Sequence, residues 1–259
     1  MTASLKTTPS LRDQVSPEEW ATRVDLAAAY RLVALYGWDD LIFTHLSARV
    51  PGSEHHFLIN AYTLMFEEMT ASNLVKIDLD GNTVGDAAGA VNRSGFVIHS
   101  AIHAAREDAQ AVIHLHTPHG QAVSAMKEGL LPHTQTAMIA HHDVAYHDHE
   151  GIADALEERE RIVADLGDKN ALILRNHGTL TVGSSIAEAF LRMYFLERAC
   201  QAQVMMLAAG RDGLNEPEPE VAGVVRDQVS GTEMAMTVER LAWPALLRKL
   251  DRIDPGYRQ

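Results

Sequence analysis

The chain has 259 residues, 46% hydrophobic and 22% charged, with 35 acidic against 22 basic side chains and a formal charge of −13. That length supports one large domain or two small ones with an ordinary core, which excludes a disordered or disulfide-built chain. The acidic balance, with no basic run, excludes nucleic acid and anionic membrane surfaces as partners, because both need clustered Lys and Arg.

Residues 1–15 read as a flexible N-terminal arm and residues 16–259 as a single domain. Met1–Leu11 is Thr/Ser-rich without the apolar stretch of a signal peptide, and no run approaches about 18 apolar residues, so a cytoplasmic protein is expected. Ser16-Pro17-Glu18-Glu19 combines an N-cap serine, proline at the first helical position and glutamate at N3, a capping box opening a helix that runs to about Tyr36. Leu46–Val50 and His56–Asn60 are β-rich around a Pro51-Gly52 turn, and Leu74–Asp78 continues the sheet pattern. Gly95–Arg106 is predicted as a helix with Phe96, Ile98, His99, Ile102 and His103 near one face, Ala111–His116 as a strand, and His119–Lys127 as a helix after Pro118.

Ala137–Tyr146 reads as strand or loop, Ile152–Leu166 as a helix, Ala171–Leu174 as a buried strand, and Thr179–Val182 as the next strand after an Asn176-His177-Gly178 turn. Ser184-Ser185-Ile186-Ala187-Glu188 caps a long helix ending at Gly210, which carries the lone cysteine, Cys200, as a small buried residue. Residues 211–231 read as an exposed loop, and Glu233–Leu250 as a last helix kinked at Pro244. Interleaved strands and helices without an internal repeat favour a layered α/β class.

With one cysteine against 14 histidines, any metal must be held by His, Asp or Glu. Ile113-His114-Leu115-His116-Thr117 lies on a strand, where side chains two apart share a face. Two imidazoles emerging together are half of a metal site or, alternatively, two polar groups at a strand end. Leu172–Gly178 is a buried strand running into His177 and a glycine, a rigid support suited to a third ligand or to a plain turn histidine.

His-x-His on a strand, followed downstream by Asn-His-Gly between two strands, resembles the class II aldolase and adducin head domain family. The likeness extends through Thr44–Gly52, Phe57–Asn60, Thr70–Lys76, Gly95–His103, His114–Gly120 and Val144–Asp148, with many phrases nearer to adducin heads and their bacterial relatives than to the sugar-phosphate aldolases. The resemblance implies a three-layer α/β/α sandwich around a central, largely antiparallel mixed sheet, assembled as a homotetramer with active sites between subunits. It also implies that His114, His116 and His177 hold a divalent metal, zinc foremost, with manganese, iron or cobalt as alternatives. Aldolases of the family use that metal as a Lewis acid in C–C cleavage, and other members epimerise or decarboxylate.

Two departures from the family pattern bear on the chemistry. The acidic residue upstream of the His-x-His pair falls on Gly95, and glycine cannot transfer a proton, so His99, Tyr146 and His147 become the catalytic candidates. The aldolases' phosphate-binding pieces are replaced by Thr44-His45-Leu46-Ser47, Asn60-Ala61-Tyr62-Thr63 and Arg93-Ser94. A phosphate cradle needs small residues that let backbone N–H groups approach the anion. A small non-phosphorylated carbonyl or carboxylate substrate is therefore expected, with Arg49, Arg93 and Ser94 as candidate binding residues. The expected function is a metal-dependent lyase acting by retro-aldol cleavage or decarboxylation. The alternative is a catalytically inactive adducin-head-like oligomerisation module, which the glycine at position 95 favours.

Overall fold

The computed structural model describes residues 10–52, 55–85, 91–151, 157–229 and 237–259. Its sheet is built from β1 (His45–Arg49), β2 (Phe57–Ile59), β3 (Val75–Ile77), β4 (Ala111–Leu115), β5 (Val144–His147), β6 (Ala171–Leu174) and β7 (Gly178–Gly183). The seven strands lie in the order β3-β2-β1-β4-β7-β6-β5. Only the β5–β6 pair is parallel, which gives the largely antiparallel mixed sheet expected from the sequence.

Alternation along the strands assigns each sheet face to its own layer of helices. On β4, Ile113 and Leu115 join a core built with α1 (Pro17–Leu35), α6 (Ile186–Leu207) and α8 (Trp243–Ile253). Val112, which precedes Ile113, joins the opposite core with α2 (Arg93–Ala105) and α5 (Glu158–Leu166). Two short helices, α3 (Pro118–Ser124) and α4 (Gln135–His141), close the α6 side over Ile173. The result is the three-layer α/β/α sandwich.

The chain departs from the sequence expectations in several elements. Ser16 caps α1 by accepting the Glu19 N–H at 3.1 Å, but the Glu19 carboxylate does not return the bond. It pairs instead with buried Arg23 at 2.9 Å and with Lys76 at 2.7 Å, because an otherwise uncompensated buried guanidinium is the costlier group. The stretch read as strand or loop over 137–146 is helix α4, capped by Thr134, followed by β5. Residues 211–231, read as a loop, hold a 3-10 turn and α7 (Pro219–Val229), which starts on a proline at a position where its missing N–H costs nothing. The long helix stops at Leu207 rather than Gly210, with Met205 at its end exposed.

At the C-terminal end, residues 230–236, where the last helix was expected to begin, lie outside the described residues. A π-helical turn at Val238–Ala242 leads into α8, and Pro244 sits in its first turn rather than kinking its middle. Residues 1–9 of the expected arm also lie outside the described residues, and Leu11–Asp13 forms a 3-10 turn. No described helix is long and apolar enough to cross a membrane.

Candidate metal centre

Three histidines converge where β4 ends and β7 begins. His114 points from β4 to the α2 side of the sheet, and His116 follows just beyond the strand. Between β6 and β7, Asn176 takes a left-handed conformation (φ 56°), which asparagine tolerates better than most residues, and its N–H is held by the Ser124 carbonyl at 3.1 Å. That turn delivers His177 to the other two. Gly178 is needed beside it, since a Cβ there would lie 2.5 Å from the Leu115 carbonyl oxygen and 3.1 Å from His116 Cδ2. The three ring centroids are 4.8 Å apart pairwise, and one nitrogen of each ring lies within 4.8 Å of the others.

The hydrogen bonds fix where the protons sit. His114 Nδ1 is 3.0 Å from the Thr179 carbonyl, which can only accept, so Nδ1 carries the proton and Nε2 the lone pair. His116 Nδ1 donates to Asp40 Oδ2 at 3.0 Å, so in the neutral ring Nε2 is the bare nitrogen as well. Those bare nitrogens face each other across 3.0 Å, and His177 Nε2 stands 2.9 Å from His116 Nε2. Lone pair against lone pair is repulsive unless positive charge lies between them, so the donor set fits a cation. Burial, reinforced by the neighbouring imidazoles, lowers His177 to about 4 and His114 well below its ordinary value. Both are neutral at pH 7, the form that ligates a metal.

A second set of histidines lies against the first on the same face. On β1, His45 and Ser47 point together toward His99 and His103 of α2, as the period of two dictates. The His45 and His114 rings are 5.4 Å apart. The space beside Gly95, where the sequence left a proton-transfer group missing, is filled by the His45 ring. A Cβ on Gly95 would fall 2.4 Å from His45 Cδ2 and 2.7 Å from its Nε2.

The remaining predicted residues lie elsewhere or are otherwise engaged. His99 has both nitrogens occupied, by His45 at 3.3 Å and Ser47 at 2.5 Å, inside the layer. His147 shares the α2 side of the sheet, but its nitrogens are taken by Asp165 at 2.7 Å and Glu158 at 3.3 Å. Tyr146 points to the opposite face, where its hydroxyl accepts the Leu130 N–H at 3.0 Å and its ring carries the Arg175 guanidinium at 4.2 Å. Arg49, at the far end of β1 and roughly 13 Å along the strand from His45, donates to the His103 and Arg106 carbonyls at the end of α2. Arg93 and Ser94 form the first turn of α2, and their side chains lie outside the described residues.

Two residues of the site escaped the sequence reading. Asp40 sits in an irregular segment after Trp38, with no periodicity to mark it. His45 carried a usable signal: it lies one residue before the predicted strand Leu46–Val50, in phase with Ser47 and opposite the face of Leu46 and Ala48.

The family model for the class II aldolase and adducin N-terminal domain matches residues 24–204. The chain belongs to this family. A Caulobacter vibrioides protein carrying a class 2 aldolase name is 60% identical over 250 residues, 96% of each chain. Mouse alpha-adducin is 44% identical over 248 residues, 91% of this chain but 33% of the adducin. Among solved structures, an aldolase II superfamily protein from Pseudomonas syringae has 54% identity and a TM-score of 0.91, covering 97% of this chain and 100% of that one. L-fuculose 1-phosphate aldolase from Glaciozyma antarctica has 30% identity and a TM-score of 0.81, covering 99% and 97%.

Proposed function

We propose that this class II aldolase family member is a divalent-metal-dependent C–C lyase, with His114, His116 and His177 as ligands and zinc as the resident ion. Its substrate is a small, non-phosphorylated hydroxy- or oxo-carbonyl compound or carboxylate, cleaved by retro-aldol reaction or decarboxylation, and the working form is a homo-oligomer. The observation that carries this reading is the pair of bare imidazole nitrogens facing each other at 3.0 Å. When bound, a divalent ion supplies Lewis-acid stabilisation for negative charge on a carbonyl oxygen while the neighbouring C–C bond breaks.

The chain's own residues prepare that chemistry. The Thr179 carbonyl holds the His114 ring and the Asp40 carboxylate the His116 ring in the ligating tautomer. Two side chains of the stretches that replace the phosphate-binding pieces, Ser47 and Asn60, are committed to the interior. Ser47 is spent on His99 and His103, and Asn60 Oδ1 accepts from the Tyr30 hydroxyl at 2.8 Å. A phosphorylated substrate like that named for the Glaciozyma relative is therefore disfavoured.

The similarity to alpha-adducin supports a second reading, an oligomerisation module without turnover. Metal analysis after supplementation separates the two. About one equivalent of zinc, lost in His116→Ala, together with turnover of a hydroxy- or oxo-carbonyl compound, is the expected result. Less than about a tenth of an equivalent sinks the lyase. Full metal loading and intact assembly without turnover of any such compound favours the module.

A further inference from the structure

The buried imidazoles between β1 and α2 form a chain whose polarity can be read from its far end. His103 Nδ1 lies 3.0 Å from the Ala109 carbonyl, which only accepts, so Nδ1 carries the proton. His45, His99 and His103 are buried, and no carboxylate bonds to any of them among the described residues, so each ring is neutral with one N–H. His103 Nε2 must then accept from the Ser47 hydroxyl at 2.8 Å, which uses the only proton that Ser47 has. The Ser47 oxygen accepts from His99 Nδ1 at 2.5 Å. His99 Nε2 is left bare and accepts from His45 Nδ1 at 3.3 Å.

The chain ends at His45 Nε2, which carries a lone pair and has no hydrogen-bond partner among the described residues. This nitrogen sits on a ring packed 5.4 Å from that of His114, on the edge facing Gly95, whose missing Cβ is what admits the ring. A ligand atom meeting it must be a donor. A carbonyl or carboxylate oxygen there would face lone pair to lone pair.

Resting on the lyase reading, we infer that His45 is a substrate-binding residue whose bare Nε2 accepts a hydrogen bond from a hydroxyl of the bound molecule. The site thereby selects hydroxy-carbonyl or hydroxy-acid substrates over their deoxy counterparts, and His99, Ser47 and His103 are positioning residues that lock the tautomer.

The first test needs no turnover. In full-length protein with 15N-labelled imidazoles, His45 is assigned by the signals missing from His45→Phe. Its Nδ1 is expected at the shift of an N–H nitrogen and its Nε2 at that of a bare nitrogen. A protonated Nε2 overturns the inference. Ser47→Ala is expected to release the lock and average the two shifts, and Ser47→Thr to keep it. A lock that survives Ser47→Ala overturns the chain as its cause.

The second test compares glycolate with acetate, which differ by one hydroxyl, on zinc-loaded protein. The preference for glycolate is expected to fall about two- to tenfold in His45→Phe, the worth of one neutral hydrogen bond. Ser47→Ala, expected to move the preference the same way, serves if His45→Phe does not fold. An unchanged preference overturns the inference. Zinc loading is followed at His116 and His177 in the same spectra, so failure to bind metal counts against the lyase, whereas a protonated His45 Nε2 counts against this inference alone.

Discussion

Two groups of histidines share one face of the sheet and touch through His45 and His114, yet their hydrogen bonds run in opposite senses. In the group of His114, His116 and His177, the outward nitrogens of His114 and His116 are spent on Thr179 and Asp40, so bare nitrogens meet at 3.0 Å. In the group of His45, His99 and His103, donors and acceptors alternate through Ser47 to the Ala109 carbonyl. The second group satisfies itself up to its last nitrogen, His45 Nε2, whereas the first fits a cation at its centre. Proton placement, rather than histidine abundance, separates a ligand set from a structural network.

Substitutions should split the two groups by the property each one moves. The largest effect is expected from His116→Ala, which removes the ligand nitrogen shared by both close contacts. Zinc content should fall from about one equivalent to below about a tenth while the metal-free fold persists, as read by metal analysis and circular dichroism. His103→Ala should do the reverse. It opens a cavity in a buried layer and strands the Ser47 hydroxyl, so urea unfolding should show a loss of about 2–4 kcal/mol with zinc stoichiometry unchanged. Zinc loss in that variant would mean that the two groups act as one. Next in size is Asp40→Asn, which keeps a side chain of the same shape beside His116 but removes its charge. Zinc affinity, measured by competition with a chelator, should weaken by about 10- to 100-fold.

How much of this was legible in the sequence follows from what each feature depends on. The layered α/β class, the strands Leu46–Val50, Ala111–His116 and Ala171–Leu174 and the helix caps at Ser16 and Ser185 rest on local period and capping, and these elements lie within a residue or two of expectation. Helix α4 is only seven residues long, too short for a period of 3.6 to declare itself, although Thr134 was a readable cap. Helix α7 buries none of its residues, so no apolar face marked it among its acids and prolines. Strand geometry put His114 and His116 on one face, but their union with His177 came from the family resemblance, because the residues alone left a strand-end pair and a plain turn histidine open. The roles of Asp40 and His45 were not readable, because each depends on a partner on another element: His116 for Asp40, and His99 and Gly95 for His45.

The smallest expected effect tests whether the opposite face of the sheet is uninvolved. Tyr146 neighbours His147 in sequence, but strand alternation turns it toward α3 and α6, where its hydroxyl caps the Leu130 N–H at 3.0 Å and packs over Gly129. A Cβ at position 129 would fall 2.4 Å from that hydroxyl, so the loop is shaped around it. Tyr146→Phe keeps the ring under the Arg175 guanidinium and removes only the acceptor, leaving one backbone N–H unpaired. Urea unfolding should therefore register a loss of about 1 kcal/mol. Zinc affinity should stay within the error of the chelator competition, because no described contact links this hydroxyl to His114, His116 or His177. A shift in zinc affinity comparable to that of Asp40→Asn would show that the two faces are coupled, and would return Tyr146 to the candidates for the reaction.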